Sequence, residues 1–266
     1  MKISVFTSNQ PRHLALINRL AQVSDVTFAV IESRSYLPLR KRPSSPQGNV
    51  MEEYFTQVRE AENFYFGDLS FLAENVRSLS IQGGELNHLD YDQLQEGLQS
   101  DVFVVFGSSY IKGCLAKYLI ERRAINIHMG LSPYYRGAAC NFWALYDENP
   151  QYVGATIHLL SKGLDSGPML YHALPRHEGE DPFKFTMKSV LVAQKSLVSR
   201  IASGEIHSFQ AKKQDKRLQI RYTRADQFTD AVARSYLSRE LNANDLARML
   251  ADESQQPAKL LHPYFA

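Results

Sequence analysis

Long apolar runs are missing from this sequence. No stretch approaches the roughly 20 apolar residues that a membrane-spanning helix needs. The opening Met1-Lys2-Ile3-Ser4-Val5-Phe6 lacks the longer apolar region of a secretory signal. The expectation is a soluble, cytoplasmic protein without a membrane partner. Cysteine is scarce as well. The two present, Cys114 and Cys140, have neither metal-ligand spacing nor the density of a disulfide scaffold, which favours a reducing compartment. Both thiols are expected to fill core space, and no metal is expected. Charge of one sign is absent too: 30 Lys+Arg against 28 Asp+Glu leaves a formal +2. Such a chain has no strong global field with which to capture nucleic acid or a membrane, so an acidic ligand would have to be met locally. There is no internal repeat and no low-complexity tract. No G-x-G-x-x-G follows the first strand, which makes a dinucleotide oxidoreductase a poor reading.

What is present is enough for one large core, or one core with a small appendage: 266 residues, of which 44% are hydrophobic. Residues 3–7 read as a buried strand. Pro11 then opens a helix with Leu14, Ile17, Leu20 and Ala21 at helical spacing, and 26–31 is a second strand. A βαβ opening implies a parallel sheet wrapped by helices. Residues 38–49, with Arg40, Lys41 and Arg42, read as a solvated loop, a ligand phosphate role being the alternative; 50–61 reads as helix. Strands follow at 101–106 and 124–128, separated by a helix over 114–120, and again at 153–160 and 169–174. Asp181 caps a long helix with Pro182 in its first turn, ending near Gly204. The expected division is a catalytic domain over 1–204 and a small C-terminal extension over 205–266, with a strand pair around 206–211 and 218–222 and two short helices after Asp226 and Asn244.

The chemistry gathers in three places. The run Ala124-Ile125-Asn126-Ile127-His128 alternates as a strand does, so Asn126 and His128 share a face, roughly 7 Å apart along the chain. They lie near a strand's carboxyl end, where open α/β sheets hold ligands. Asp165 sits in the turn between two later strands. An amine attacking an acyl carbon must be neutral, and it needs donors for the developing oxyanion and an acceptor for its proton. Asn126 offers amide hydrogens, while His128 donates as imidazolium or relays a proton. Asp165 orients His128 or takes the amine's proton, and its carboxylate would raise the histidine's pKa. Singly, each of these residues would pass for a turn cap, a core histidine or a turn acid.

Jointly they carry a resemblance. The runs Asn126-Ile127-His128-Met129-Gly130-Leu131-Ser132-Pro133-Tyr134-Tyr135-Arg136-Gly137, Gly154-Ala155-Thr156-Ile157-His158 and Leu164-Asp165-Ser166-Gly167-Pro168 resemble the formyltransferases that use 10-formyltetrahydrofolate. The resemblance is strong over 101–174, weak over the Rossmann-like opening and absent beyond Gly204. It implies a Rossmann-like, mostly parallel α/β sheet, with Asn126, His128 and Asp165 as the catalytic residues. It also implies that the pteridine of the co-substrate lies along Phe106, Gly107 and Ile111, with the loop leading to Asp165 closing its other side. His158 matches a recurrent family histidine with a supporting or structural role.

Departures bear on the acceptor. Met129-Gly130-Leu131-Ser132 replaces the usual leucine pair before Pro133, and Cys140-Asn141-Phe142-Trp143 stands where the initiator-tRNA enzyme continues with proline. The opening Thr7-Ser8-Asn9-Gln10-Pro11 lacks the glycine-rich loop with which the purine-pathway enzyme holds ribose phosphate, so glycinamide ribotide is disfavoured. The extension after Glu205 is short for the tRNA enzyme's C-terminal barrel. By elimination, the resemblance points to the branch that formylates an amino sugar, often nucleotide-linked, for surface polysaccharides. Tyr134, Tyr135 and Arg136 are expected at the acceptor, through stacking and an anion clamp, with Phe142 and Trp143 as core. A methionyl-tRNA formyltransferase, a 10-formyltetrahydrofolate hydrolase and a non-enzymatic folate-binding protein stay open as alternatives, as does a homodimer.

Overall fold

The computed structural model describes residues 1–33, 49–67, 69, 71–252, 254, 256–257 and 259–266. The Arg40, Lys41 and Arg42 run lies outside the described residues. The first half alternates strand and helix: β1 (Lys2–Ser8), α1 (Pro11–Ala21), β2 (Val26–Ser33), α2 (Val50–Phe66), β3 (Val76–Gln82), α3 (Tyr91–Leu98), β4 (Val102–Val105), α4 (Gly113–Glu121) and β5 (Ile125–His128). The second half continues with β6 (Tyr135–Gly137), α5 (Cys140–Tyr146), β7 (Ala155–Leu159), β8 (Met169–Leu174) and α6 (Pro182–Ala202). It closes with β9 (Arg221–Thr223), α7 (Asp230–Leu237), α8 (Ala243–Leu250) and β10 (Tyr264–Phe265).

Eight strands form one sheet in the order β10-β8-β7-β5-β4-β1-β2-β3. The pairs from β3 across to β5 are parallel, β5 with β7 and β7 with β8 are antiparallel, and β10 adds parallel to β8. Helical crossovers after β1 and β2 carry the chain one way, and those after β3 and β4 bring it back on the other side of β1. The order therefore reverses between β1 and β4, and their carboxyl ends leave a crevice there. It is a mostly parallel α/β sheet with Rossmann-like connections.

Amphipathic spacing explains the layers. Leu16, Ile17 and Leu20 of α1 are fully buried against Ile3, Val5 and Val104, together with Val192, Ala193 and Leu197 of α6. The opposite face packs Phe6, Phe28, Phe103 and Val105 under Leu94 and Leu98 of α3 and Leu115 and Leu119 of α4. Truncating Leu20 to alanine would cost about 2–5 kcal/mol, the range for a buried leucine whose site cannot collapse. Asp181 starts α6 by accepting from the backbone N–H groups of Phe183 and Lys184 at 2.9 and 3.0 Å, with Pro182 at the first helical position.

Two expectations change. The strand pair over 206–211 and 218–222 does not form: Glu205–His207 is a 3-10 turn with Ile206 buried in the core, and only Arg221–Thr223 is extended, parallel to β6. Cys114 is exposed rather than a core filler, while Cys140 is buried. Residues 205–266, set apart above on composition, return to the core in several places. Lys212 exchanges two 2.8 Å backbone hydrogen bonds with Met169, β9 pairs with β6, and β10 extends the sheet.

Candidate active site

Alternation along β5 points Asn126 and His128 to one side, at the strand end beside the crevice, and both are buried. Asp165 reaches them from the loop between β7 and β8 with φ at 45°, a left-handed conformation that aspartate tolerates better than most residues. The side-chain amide of Gln214 holds that backbone, donating from Nε2 to the carbonyls of Asp165 at 2.8 Å and Gly167 at 3.0 Å. The return of the loop depends on glycine at 167. A Cβ there would lie 1.7 Å from the Leu159 carbonyl oxygen and 2.8 Å from His158 Nδ1.

The polar groups interlock. His128 Nδ1 faces Asp165 Oδ2 at 3.3 Å, and Asn126 Nδ2 donates to Asp165 Oδ1 at 3.3 Å and to His158 Nε2 at 2.9 Å. On its other side, His158 Nδ1 lies 2.8 Å from the Leu159 carbonyl. A carbonyl only accepts, so Nδ1 carries the hydrogen and Nε2 offers the lone pair that takes the Asn126 amide. His158 thereby fixes which way the Asn126 amide points. Burial alone would lower the pKa of His128; the Asp165 carboxylate, with Cys140 beside it, outweighs this and holds it well above the ordinary histidine value. Burial would raise the Asp165 pKa, and the His128 imidazolium instead holds it well below the carboxylate range. Such a carboxylate is a poor proton store. It acts chiefly by orienting His128 and keeping it charged.

One cavity reaches this array and a second adjoins the first. The first, of about 260 Å³, runs between the 106–111 loop and the 160–165 loop. Phe106, Gly107 and Ile111 line it, with Asn126, His128, His158 and Asp165 at its inner end. The second, of about 580 Å³, lies between α1, α2, α5 and α6. Its walls include Tyr54, Phe55, Phe142 and Phe228, and Cys140 and Asn141 face it. Gly107 and Met129 border both cavities. Among the described residues, no group of three or more His, Cys, Asp or Glu is placed to hold a metal ion.

Residues 1–200 match the model of a protein family described as formyl transferase. The chain belongs to that formyltransferase family. A methionyl-tRNA formyltransferase from Thermotoga neapolitana is 28% identical over 173 residues, 62% of this chain and 50% of that relative. The chain thus spans about half the length of this relative, and the match to one from Thermosynechococcus vestitus covers 28% of its length. Among solved structures, the formyltransferase PseJ from Anoxybacillus kamchatkensis superposes with a TM-score of 0.50 at 15% identity, covering 92% of this chain and 97% of that one. It was crystallised with UDP-4,6-dideoxy-4-formamido-L-AltNAc and tetrahydrofolate. The N-formyltransferase from Helicobacter canadensis, in complex with folinic acid and dTDP-3-aminofucose, gives 0.52 at 11% identity over 86% of this chain and 72% of its own. At these identities the likeness is one of fold.

Within this formyltransferase-family chain, the residues expected at the acceptor, Tyr134, Tyr135 and Arg136, line neither cavity. Tyr134 and Tyr135 are 3% and 1% exposed. The Tyr134 hydroxyl donates to the Lys259 carbonyl at 3.0 Å and accepts from its N–H at 2.8 Å. That of Tyr135 accepts from Asn149 Nδ2 at 2.9 Å and donates to Asp147 Oδ2 at 3.2 Å. The loop turns inward because both phenols are satisfied beneath α5 and the C-terminal segment. Arg136 lies on β6 with its guanidinium 3.2 Å from Gln219 Oε1, away from the cavities. His158, expected in a supporting or structural role, holds the Asn126 amide. Two side chains of the array went unread in the sequence: the Cys140 thiol at 3.5 Å from His128 Nε2, and Gln214. Of these, Cys140 left a signal there, as a departure from the family's proline.

Proposed function

We propose that the chain transfers the formyl group of 10-formyltetrahydrofolate to the primary amine of an amino sugar, nucleotide-linked, by direct attack of the amine. The observation that carries this reading is the junction at Gly107 and Met129. A slot with Asn126, His128 and Asp165 at its inner end adjoins a larger aromatic-walled cavity there. The folate and nucleotide-sugar ligands of the two fold relatives support it. Phe106 and Ile111 would offer apolar faces to the heterocycle, with backbone groups of 107–110 and 160–165 along its edges.

When bound, the reduced folate supplies the formyl carbon, and its departing nitrogen takes the proton that the amine loses. The chain's own groups act around that exchange. As the new C–N bond forms and the carbonyl electron pair moves onto oxygen, His128 and the Asn126 amide, giving up its 3.3 Å contact with Asp165, donate hydrogen bonds to the oxyanion. Asp165 keeps His128 charged and aligned while the old C–N bond breaks. Burial of the array excludes water that would otherwise compete with the amine. The aromatic wall of Tyr54, Phe142 and Phe228 gives the acceptor's ring system a surface to stack on.

Formation of product from a panel of nucleotide-linked amino sugars with 10-formyltetrahydrofolate tests the proposal. The curated relatives favour a second reading, methionyl-tRNA as acceptor, so charged initiator tRNA belongs in the same panel at two salt concentrations. Product with the tRNA alone, falling steeply with salt, would replace the sugar reading. Formate released without any amine would favour a hydrolase. Folate binding with no turnover at all would favour a binding protein.

A further inference from the structure

Cys140 is the first residue of α5, 1% exposed, and its thiol stands on the side of His128 opposite Asp165. Sγ lies 3.3 Å from the Gly137 carbonyl and 3.5 Å from His128 Nε2. The carbonyl only accepts, so the S–H hydrogen points to Gly137 and a sulfur lone pair is left for His128. The contact therefore reads as Nε2–H donating to sulfur. With Nδ1–H donating to Asp165 at 3.3 Å, the ring has an acceptor at each nitrogen, the arrangement of an imidazolium. Glycine at 130 makes the approach possible. A Cβ at that position would lie 2.4 Å from Cys140 Cβ, 2.9 Å from His128 Nε2 and 3.1 Å from Sγ.

We propose that Cys140 is a positioning residue: its sulfur holds the Nε2–H of His128 in the ligand-free protein, keeping the ring charged and aimed until a better acceptor arrives. The choice of sulfur has a physical reason. A thiol sulfur is a weak acceptor, so it satisfies the buried N–H without competing strongly against an oxyanion for it. Leaving Nε2–H without any acceptor would impose the cost of an unpaired buried donor on the charged form and drive the proton off. The raised pKa of His128 agrees with this, since the hydrogen bond to Cys140 is among the causes that, with the Asp165 charge, outweigh burial. The titratable groups that face the ring are Asp165 from the β7–β8 loop, Cys140 from α5, and His158 from β7, whose ring centroid is 6.4 Å away. Of the three, the first two have polar contacts with it.

The role of His128 in transfer rests on the proposed function, whereas the contact itself does not. It is tested first in the ligand-free protein, by NMR titration of 15N-histidine in the wild type, Cys140→Ala and Cys140→Ser. The expected result is a wild-type His128 that stays doubly protonated well above pH 6.5. Its apparent pKa should fall by about one unit in Cys140→Ala and return to within about 0.3 units in Cys140→Ser, whose hydroxyl keeps an acceptor in place. A purely structural thiol would change melting temperature and leave the titration where it was, and superimposable wild-type and alanine curves would overturn the proposal. A wild-type His128 that titrates near 6.5 would overturn it equally, without need of a variant. Formyl-transfer rates against pH then follow the same order, with the alkaline limb displaced to lower pH in Cys140→Ala and restored in Cys140→Ser. Inactivity of the wild type on every amine would sink the functional reading and leave the titration result standing.

Discussion

The Gln214 side-chain amide donates to the main-chain carbonyl of Asp165 at 2.8 Å, across 49 residues of sequence. Through this bond, a segment outside the recognisable motifs fixes the backbone of the carboxylate that charges His128.

Removing that bond should loosen Asp165 without removing any group from the reacting atoms. In Gln214→Ala the left-handed conformation of Asp165 loses its brace, and such conformations cost on the order of 1–3 kcal/mol where nothing enforces them. We expect kcat to fall about tenfold with the folate dissociation constant within about threefold, and a stability loss of about 1–3 kcal/mol, typical of the two hydrogen bonds that Gln214 donates to Asp165 and Gly167. Steady-state kinetics and thermal unfolding check this. Unchanged kcat would mean that the loop holds its shape unaided.

Substituting the array itself should be far more severe. His128→Ala and Asp165→Asn are each expected to lower transfer by at least about a hundredfold, the scale of lost acid–base or oxyanion assistance. Their affinity for a non-reactive folate analogue should change little. Near-native turnover in either variant would refute the roles assigned here.

The same pair sets a pH window for stability. The His128 pKa is raised, so its contribution is fully present below the unfolded value of about 6.5 and is lost only as pH rises through the elevated folded value. The Asp165 pKa is depressed, so its contribution is present above the unfolded value of about 3.9 and is lost as pH falls toward the folded one. Between about pH 4 and 6.5 the wild type should therefore exceed Asp165→Asn in melting temperature by a constant margin, which narrows below about pH 4 and again as pH rises beyond 6.5 toward the elevated histidine value. A margin that persists unchanged below about pH 4 and far above 6.5 would mean that the pair is not ionic.

His172 behaves in the opposite sense. Burial lowers its pKa to about 4, and the neutral ring donates from Nε2 to the Ser132 carbonyl at 2.8 Å while Nδ1 accepts from the Leu261 N–H at 2.9 Å. Protonation would destroy that acceptor. Since the unfolded ring titrates near 6.5, its stabilising share is present above about pH 6.5 and lost as pH falls toward the folded value. Thermal unfolding between pH 7 and 4 should show a steeper loss for the wild type than for His172→Gln. Parallel curves would count against the assignment.

Acceptor selectivity should follow the aromatic wall rather than the 134–136 loop. Phe228 packs against Phe142 at 4.7 Å and Tyr54 at 5.0 Å between ring centroids, on the edge of the larger cavity. Phe228→Ala is expected to raise the Michaelis constant for the amine about tenfold with a smaller effect on kcat, the signature of lost uniform binding. Arg136→Ala should leave both within about twofold, its guanidinium being turned to Gln219. A large effect of Arg136→Ala on an anionic acceptor would restore the clamp that the sequence suggested.

Much of the sheet was legible because its strands are buried on both faces and read as apolar runs: all four residues of β4 and all four of β5 are buried. The edge strand β3 was not, since its residues are exposed or half-buried and carry little apolar signal. The placement of Asn126 and His128 followed from strand alternation alone. The lining of the larger cavity could not be read in the same way. Tyr54, Phe142 and Phe228 come from three distant segments, and an aromatic side chain at helical spacing is core or wall according to what the fold leaves beside it. Tyr134 and Tyr135 show the converse, a polar aromatic pair whose hydroxyls find partners inside.

The return of residues 205–266 to the sheet has a consequence for synthesis. A growing chain holds Asn126, His128 and Asp165 well before it holds Gln214, and Tyr264 and Phe265 reach the edge of β8 later still. Until then, the outer edge of β8 presents unpaired backbone groups, and an uncovered strand edge is where nascent chains pair with one another. Assembly of the reactive centre in this way waits on residues made well after Asp165, and ribosome-stalled chains ending before Gln214 should be both inert and prone to aggregate.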